Sequence, residues 1–369
     1  MLIGVPTEIK TREYRVGLTP SGVKELCSQG HDVIIQKGAG EKIGFFDAEY
    51  QTSGAEIVET AGELWSRAQM IIKVKEPQPE ETARLKPEHL LFTYLHLAAE
   101  RHLTESLQNS GCTAIAYETI TDHLGHLPLL APMSEVAGRM SVQAGAHCLE
   151  IAQQGRGVLL GGVPGVAPGK VIILGGGVVG TNAAQMATGL GAEVTIFDKS
   201  PQRLRELDSQ FHGRIKTCYS TTDNVQQAIA EADLIIGAVL IPGAAAPKLV
   251  TKADLGSMQK GSVIVDVAID QGGCFETSRP TTHDDPTFIE QGIVHYCVAN
   301  MPGAVARTST LALTNATLPY ICRLANAPWQ TMLKQDPLFA KGLNVHRGDI
   351  FCEGVAKAFD LDFRPIDSL

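Results

Sequence analysis

No two of the eight cysteines stand in a CxxC pair. A chain of 369 residues also has no need of disulfide staples, so reduced thiols and a cytoplasmic setting are expected. Aromatic residues make up only 5% of the chain, with two tryptophans, which argues against a base-stacking surface. Positive charge is short: the formal net charge is -9, so a broad nucleic-acid-binding face is excluded. Long apolar runs are missing as well. The opening Met1–Pro6 stretch is too short for a signal peptide, and later runs are of strand length, so no membrane span is expected. There is no HExxH, no paired Cys/His spacing for a metal, no G-x-S-x-G elbow, no solenoid-period repeat and no low-complexity segment.

What is present is an ordinary globular balance, 44% hydrophobic and 19% charged, in a length that suggests two domains. Its most informative stretch is Gly175-Gly176-Gly177-Val178-Val179-Gly180. This stretch follows the apolar run Val171–Leu174 and precedes a helix-like segment. A second apolar run, Glu193–Phe197, ends in Asp198. A GxGxxG in that setting, with an acid about 20 residues on, reads as a dinucleotide fingerprint. Gly175 permits the tight turn, Gly177 lets the backbone approach a pyrophosphate, and Gly180 lets the helix pack close to the sheet. The helix N-terminus offers free N–H groups to phosphates, and Asp198 an acceptor to a ribose hydroxyl.

Strand and helix patterns alternate in two blocks, which predicts α/β domains with parallel, doubly wound sheets. The first block carries strand-like runs at 2–5, 32–35, 70–74, 90–95 and 113–117. A helix is expected from near 133 to 153, with Ser134 as its N-cap, connecting the blocks. The second block holds the fingerprint and runs at 234–239, 262–267 and 293–298, and an apolar helical tail follows from about 304. The expected architecture is two Rossmann-like domains with a cleft between them. Residues 1–130 and 306–369 form a discontinuous substrate domain, and 131–305 the dinucleotide domain.

In open α/β sheets ligands bind beyond the carboxyl ends of the strands. That rule selects Lys75, His96, Asp270, Val239 with Leu240, and Asn300 with Met301, together with Arg15 in the loop after the first strand. Histidine is the side-chain type that exchanges protons around neutral pH, so His96 suits acid/base work, though a hydrogen-bonded structural histidine fits the position too. Arg15 and Lys75 suit a carboxylate clamp, or a solvated loop and a strand-end cation. Asp270, before Gly272-Gly273, can activate water or ammonia, or cap a turn.

Several motifs in order are similar to the family of NAD-dependent L-alanine dehydrogenases, over nearly the whole length. They are Ile3–Lys10 through Arg15–Pro20, Val74–Pro77, Phe92–Leu97, Pro132–Gly138 and Asn300–Val305. The resemblance implies that Arg15 and Lys75 bind the substrate carboxylate and that His96 and Asp270 are catalytic. It implies an NAD site lined by Ser134, Val178, Val179, Asp198, Arg203, Ser220, Val239, Leu240, Val267, Ala268, Ile269 and Asp270. Val298, Ala299, Asn300 and Met301 complete that lining, with Arg279 nearby. L-alanine, pyruvate and ammonium would be the reactants and a homohexamer the assembly. Some family members bind a divalent cation through an acid and a histidine in a late helix. Tyr320–Ala327 shows neither ligand, so no metal is expected. The same resemblance leaves open the NAD-binding subunit of a proton-translocating transhydrogenase, a saccharopine dehydrogenase, or a non-catalytic relative.

Overall fold

A computed structural model describes residues 1–239 and 246–369, and the chain folds as two compact units, 1–133 with 305–369 and 134–304. In chain order the strands of the first unit's leading segment are β1 (Leu2–Val5), β2 (Asp32–Gln36), β3 (Glu56–Val58), β4 (Met70–Ile72), β5 (Leu90–Thr93) and β6 (Thr113–Ala116). The second unit contributes β7 (Lys170–Leu174), β8 (Glu193–Asp198), β9 (Lys216–Tyr219), β10 (Leu234–Gly237), β11 (Val263–Asp266), β12 (Thr287–Glu290) and β13 (Ile293–Tyr296). The closing segment adds β14 (Leu343–His346) and β15 (Asp349–Ile350) to the first unit.

The second unit's sheet runs β12-β13-β11-β10-β7-β8-β9. Apart from antiparallel β12, its pairings are parallel. Counting only the parallel strands from β7, this is the 3-2-1-4-5-6 order of a dinucleotide fold, reversing direction between β7 and β10. The first unit repeats that order as β3-β2-β1-β4-β5-β6, with β14 and β15 added antiparallel beyond β6. Its reversal falls between β1 and β4. Central strands such as Met70–Ile72 and Leu234–Gly237 are buried at every residue, as parallel strands covered on both faces must be.

Helix starts follow local chemistry. Thr19, Ser200 and Thr221 each accept an N–H from the first turn of the helix they precede, and Pro20 and Pro201 open two of those helices. The helix expected near 133–153 instead begins at Ala131 and stops at Cys148. Ser134 therefore lies inside its first turn rather than capping it. Beyond Cys148 the chain folds back, so that a Cβ on Gly155 would stand 2.2 Å from the Cys148 carbonyl oxygen. Ile151–Gln153 is a separate 3-10 turn, ended by Gln154 at φ 65°. The closing segment is not helical throughout, since β14 and β15 interrupt it. Its long helix, Ala306–Asn326, docks in the first unit, where the Thr310 hydroxyl accepts the Val16 N–H at 3.2 Å.

Candidate active site

In the first unit the loops after β1, β4 and β5 all leave the carboxyl edge of the sheet, two of them flanking its reversal. Arg15 is 2% exposed. Its fork is held by Glu13: Nε donates to Oε1 at 2.7 Å, one terminal nitrogen to Oε2 at 2.6 Å, and the other to Met133 Sδ at 3.1 Å. Burial works against the Arg15 charge, but Glu13 outweighs it and holds the guanidinium above its ordinary range. Lys75 is mostly covered, and its ammonium lies 3.9 Å from Glu76 Oε2. Burial pushes the Glu76 carboxyl up, yet Lys75 and Lys10 together bring it below the usual range.

His96 ends the β5 loop with its side chain half exposed and its backbone left-handed, at φ 50°. That conformation is uncommon outside glycine and asparagine, and costs of order 1 kcal/mol or more. Glu118 maintains it, accepting the backbone N–H of His96 at 2.6 Å and of Leu95 at 3.2 Å. The His96 ring stacks on Tyr94, with centroids 5.8 Å apart and planes 7° apart. Tyr94 donates to the Leu129 carbonyl, and burial raises its phenol despite the nearby Arg15 charge. Tyr94 thus stands near both Arg15 and His96. The sequence reading missed Glu13, Glu118 and Tyr94, since only the fold reveals what an arginine or a histidine leans on.

In the second unit the glycine loop sits at the sheet reversal. Gly175 has φ 108°, and a Cβ there would lie 2.6 Å from the Ala238 oxygen at the end of β10. At Gly180 it would lie 1.8 Å from the Gly175 oxygen, where no side chain fits. Gly177 is different: among the described residues, its chain neighbours aside, nothing comes within 4 Å of its absent Cβ. The packing of the described residues explains two of these glycines and makes no demand at the third, where a bound phosphate would need backbone approach. Val178, next to it, is 44% exposed. Asp198 Oδ2 accepts the Gly176 N–H and Oδ1 that of Ser200, both at 2.8 Å. A carboxylate has about four acceptor sites, so capacity for ribose hydroxyls remains. These residues fit a dinucleotide.

Arg203 braces the same loop, donating from Nε to the Gly176 carbonyl at 2.7 Å, and to Thr181 and Glu206. Ser220 follows β9, its N–H on the Asp198 carbonyl. Ser134 lies in the helix that reaches the fingerprint helix through Gly138, where a Cβ would stand 2.2 Å from the Val179 oxygen. Val267, Ala268, Ile269 and exposed Asp270 form the turn after β11. Val298, Ala299, Asn300 (φ 62°) and Met301 follow β13. Val239 follows β10, whereas Leu240 lies outside the described residues. Arg279 lays its guanidinium over the Phe288 ring, 4.1 Å from the centroid.

Two further residues hold the Asp270 turn. Buried Asp266 accepts the N–H groups of Ala268 and Cys274 and the Ser278 hydroxyl at 2.6 Å. Burial raises its carboxyl, with those bonds opposing. Lys248 donates to the carbonyls of Gly272, Gly273 and Phe275. Neither was read from the sequence, where Asp266 looks like part of a strand.

The fold and the open glycine loop define a class, the doubly wound dinucleotide-binding proteins. Family models narrow it: residues 4–137 match "Alanine dehydrogenase/PNT, N-terminal domain" and residues 141–353 "Alanine dehydrogenase/PNT, C-terminal domain". The alanine dehydrogenase of Halomonas elongata is 62% identical over the full length of both chains, and that of Mycolicibacterium smegmatis 56% over 98% of each. A solved L-alanine dehydrogenase superposes with a TM-score of 0.95 at 55% identity, covering 98% of this chain and 99% of that one. A transhydrogenase from Sinorhizobium meliloti follows at 0.82 and 25% identity, covering 96% and 99%. The chain belongs to the alanine dehydrogenase/PNT family.

Proposed function

We propose that this chain is an L-alanine dehydrogenase, catalysing the reversible NAD-dependent oxidative deamination of L-alanine to pyruvate and ammonium. One observation carries the reading. In addition to a glycine loop whose residues fit a dinucleotide, the same chain keeps Arg15, Lys75 and His96 on the carboxyl edge of its other sheet. Full-length identity to curated alanine dehydrogenases supports it. The transhydrogenase reading has less support, at 25% identity against 55% for the solved alanine dehydrogenase.

NAD, when bound, would supply the hydride acceptor, held by Gly175–Gly180, Asp198, Val239 and the turns after β11 and β13. The proton and charge work falls to the chain. Arg15 and Lys75 fix the substrate carboxylate, which orients the Cα–H bond. Once hydride has left, Asp270 assists the water that adds to the iminium. His96 takes the hydroxyl proton of the resulting carbinolamine as ammonia departs, and returns it in the reductive direction. Asp198 favours NAD over NADP, because its carboxylate repels a 2′-phosphate. Arg203 is occupied by the Gly176 carbonyl and Glu206. A cytoplasmic homohexamer acting without a metal is part of the same proposal.

The test is an amino-acid panel with NAD and with NADP, followed by absorbance of the reduced nicotinamide. Turnover with L-alanine and NAD well above serine, glycine and lysine derivatives is expected. No alanine-dependent reduction would overturn the reading.

A further inference from the structure

Two lysines leave the end of β4, and they meet different fates. Lys73 is fully buried between two carboxylates, its Nζ 2.7 Å from Glu8 Oε2 and 2.8 Å from Glu81 Oε1. Lys75, two residues on, is partly open. Glu8 comes from the loop after β1 and reaches across the sheet reversal. Its other oxygen accepts the backbone N–H of Val74 at 2.6 Å and that of Lys75 at 3.3 Å. The Tyr117 hydroxyl donates to the Lys73 carbonyl at 3.1 Å. With the Thr93 hydroxyl donating to the Lys75 carbonyl at 2.9 Å, three side chains, Glu8, Tyr117 and Thr93, therefore fix the short backbone segment from which Lys75 departs.

We infer that Glu8 is the positioning residue for Lys75. By tying down both the Lys73 ammonium and the Val74–Lys75 peptide, it determines that Lys75, and not Lys73, faces the substrate carboxylate. The inference rests on the proposed role of Lys75. Its chemical content is that the groups bonded to Glu8 are donors: an ammonium and two N–H groups. A carboxylate accepts at every lone pair, whereas an amide of the same shape always turns an NH₂ toward a donor. Glu81 provides the internal comparison. It shares Lys73, but its remaining oxygen accepts the Gln78 N–H and touches neither Val74 nor Lys75.

The experiment compares Glu8→Gln, Glu8→Asp and Glu81→Gln in the full chain, by steady-state reductive amination of pyruvate with NADH and ammonium. Glu8→Gln is expected to raise the pyruvate KM about tenfold or more, with the NADH KM within about twofold, as for loss of a charge-assisted contact to one ligand only. Glu8→Asp, one methylene short but still all-acceptor, shifts the pyruvate KM the same way by less. Glu81→Gln leaves it within about twofold. Equal rises in Glu8→Gln and Glu81→Gln, parallel changes for pyruvate and NADH, or an unchanged pyruvate KM in Glu8→Gln would each overturn the inference. Where Glu8→Gln does not fold, Glu8→Asp against Glu81→Gln decides by the same contrast. Failure of the proposed function reads differently: the unmodified chain would not turn over pyruvate at all.

Discussion

His96 concentrates three costs at one residue: a left-handed backbone, an exposed ring, and a glutamate committed to holding its N–H. A histidine there for packing alone would be tucked away, since burial and not strain stabilises a core residue. Its arrangement suits a group that must stand out of the sheet edge at a fixed angle. His96→Ala should lower turnover by about 10²–10⁴-fold, while an NADH fluorescence titration shows cofactor binding intact. Near-normal turnover would remove the acid/base role. At this scale the sequence exposed the cations and the histidine, because strand ends can be located from apolar runs. It hid their partners: Glu8 and Lys73 lie 65 positions apart, and His96 and Glu118 22. Nothing in local spacing links such pairs before the sheet order is known.

The glycine loop shows what an element contributes beyond its residues. Gly180 is demanded by the chain, since a Cβ there strikes the Gly175 carbonyl, whereas among the described residues no packing contact demands Gly177. Gly180→Ala should therefore lower Tm, costing on the order of 1–3 kcal/mol from overpacking against backbone. Gly177→Ala should leave Tm nearly unchanged and weaken NADH by about tenfold or more, by pushing a phosphate off its N–H donors. Thermal melts and NADH titrations of both variants check this, and the reverse pattern would refute it. Buried strands such as β10, and β7 beyond Lys170, were legible as continuous apolar runs. The edge strands β3, β9 and β12 were not: they are short, half exposed and without such a run. β14 was missed because it pairs antiparallel with β6 after a helical stretch, and alternation of strand and helix gives no sign of it.

The whole molecule is acidic, yet acid should weaken it through a histidine. His295 on β13 is fully buried, bonded to Thr277 and to the Ile293 carbonyl, and burial holds its imidazole below the ordinary value of 6.5. As pH falls the unfolded chain takes up this proton before the folded one. The stabilisation is thus complete above 6.5 and is lost as pH drops through that value toward the folded pKa. Buried His89 and partly buried His346 are lowered too and add to the trend. The fall in Tm between about pH 7.5 and about 5.5 should be shallower in His295→Gln than in the unmodified chain. An identical slope would show that His295 does not contribute. The doubly wound order of both sheets followed from the alternation of elements, and the last segment, expected in the first domain, lies in the first unit. That segment has a consequence for biosynthesis. Residues 134–304 form a continuous unit, complete while translation is still under way, whereas β6 waits for β14, made from Leu343–His346 near the end of the chain. Until then the nascent chain presents Thr113–Ala116 as an unpaired edge, the kind of surface that chaperones shield on the ribosome.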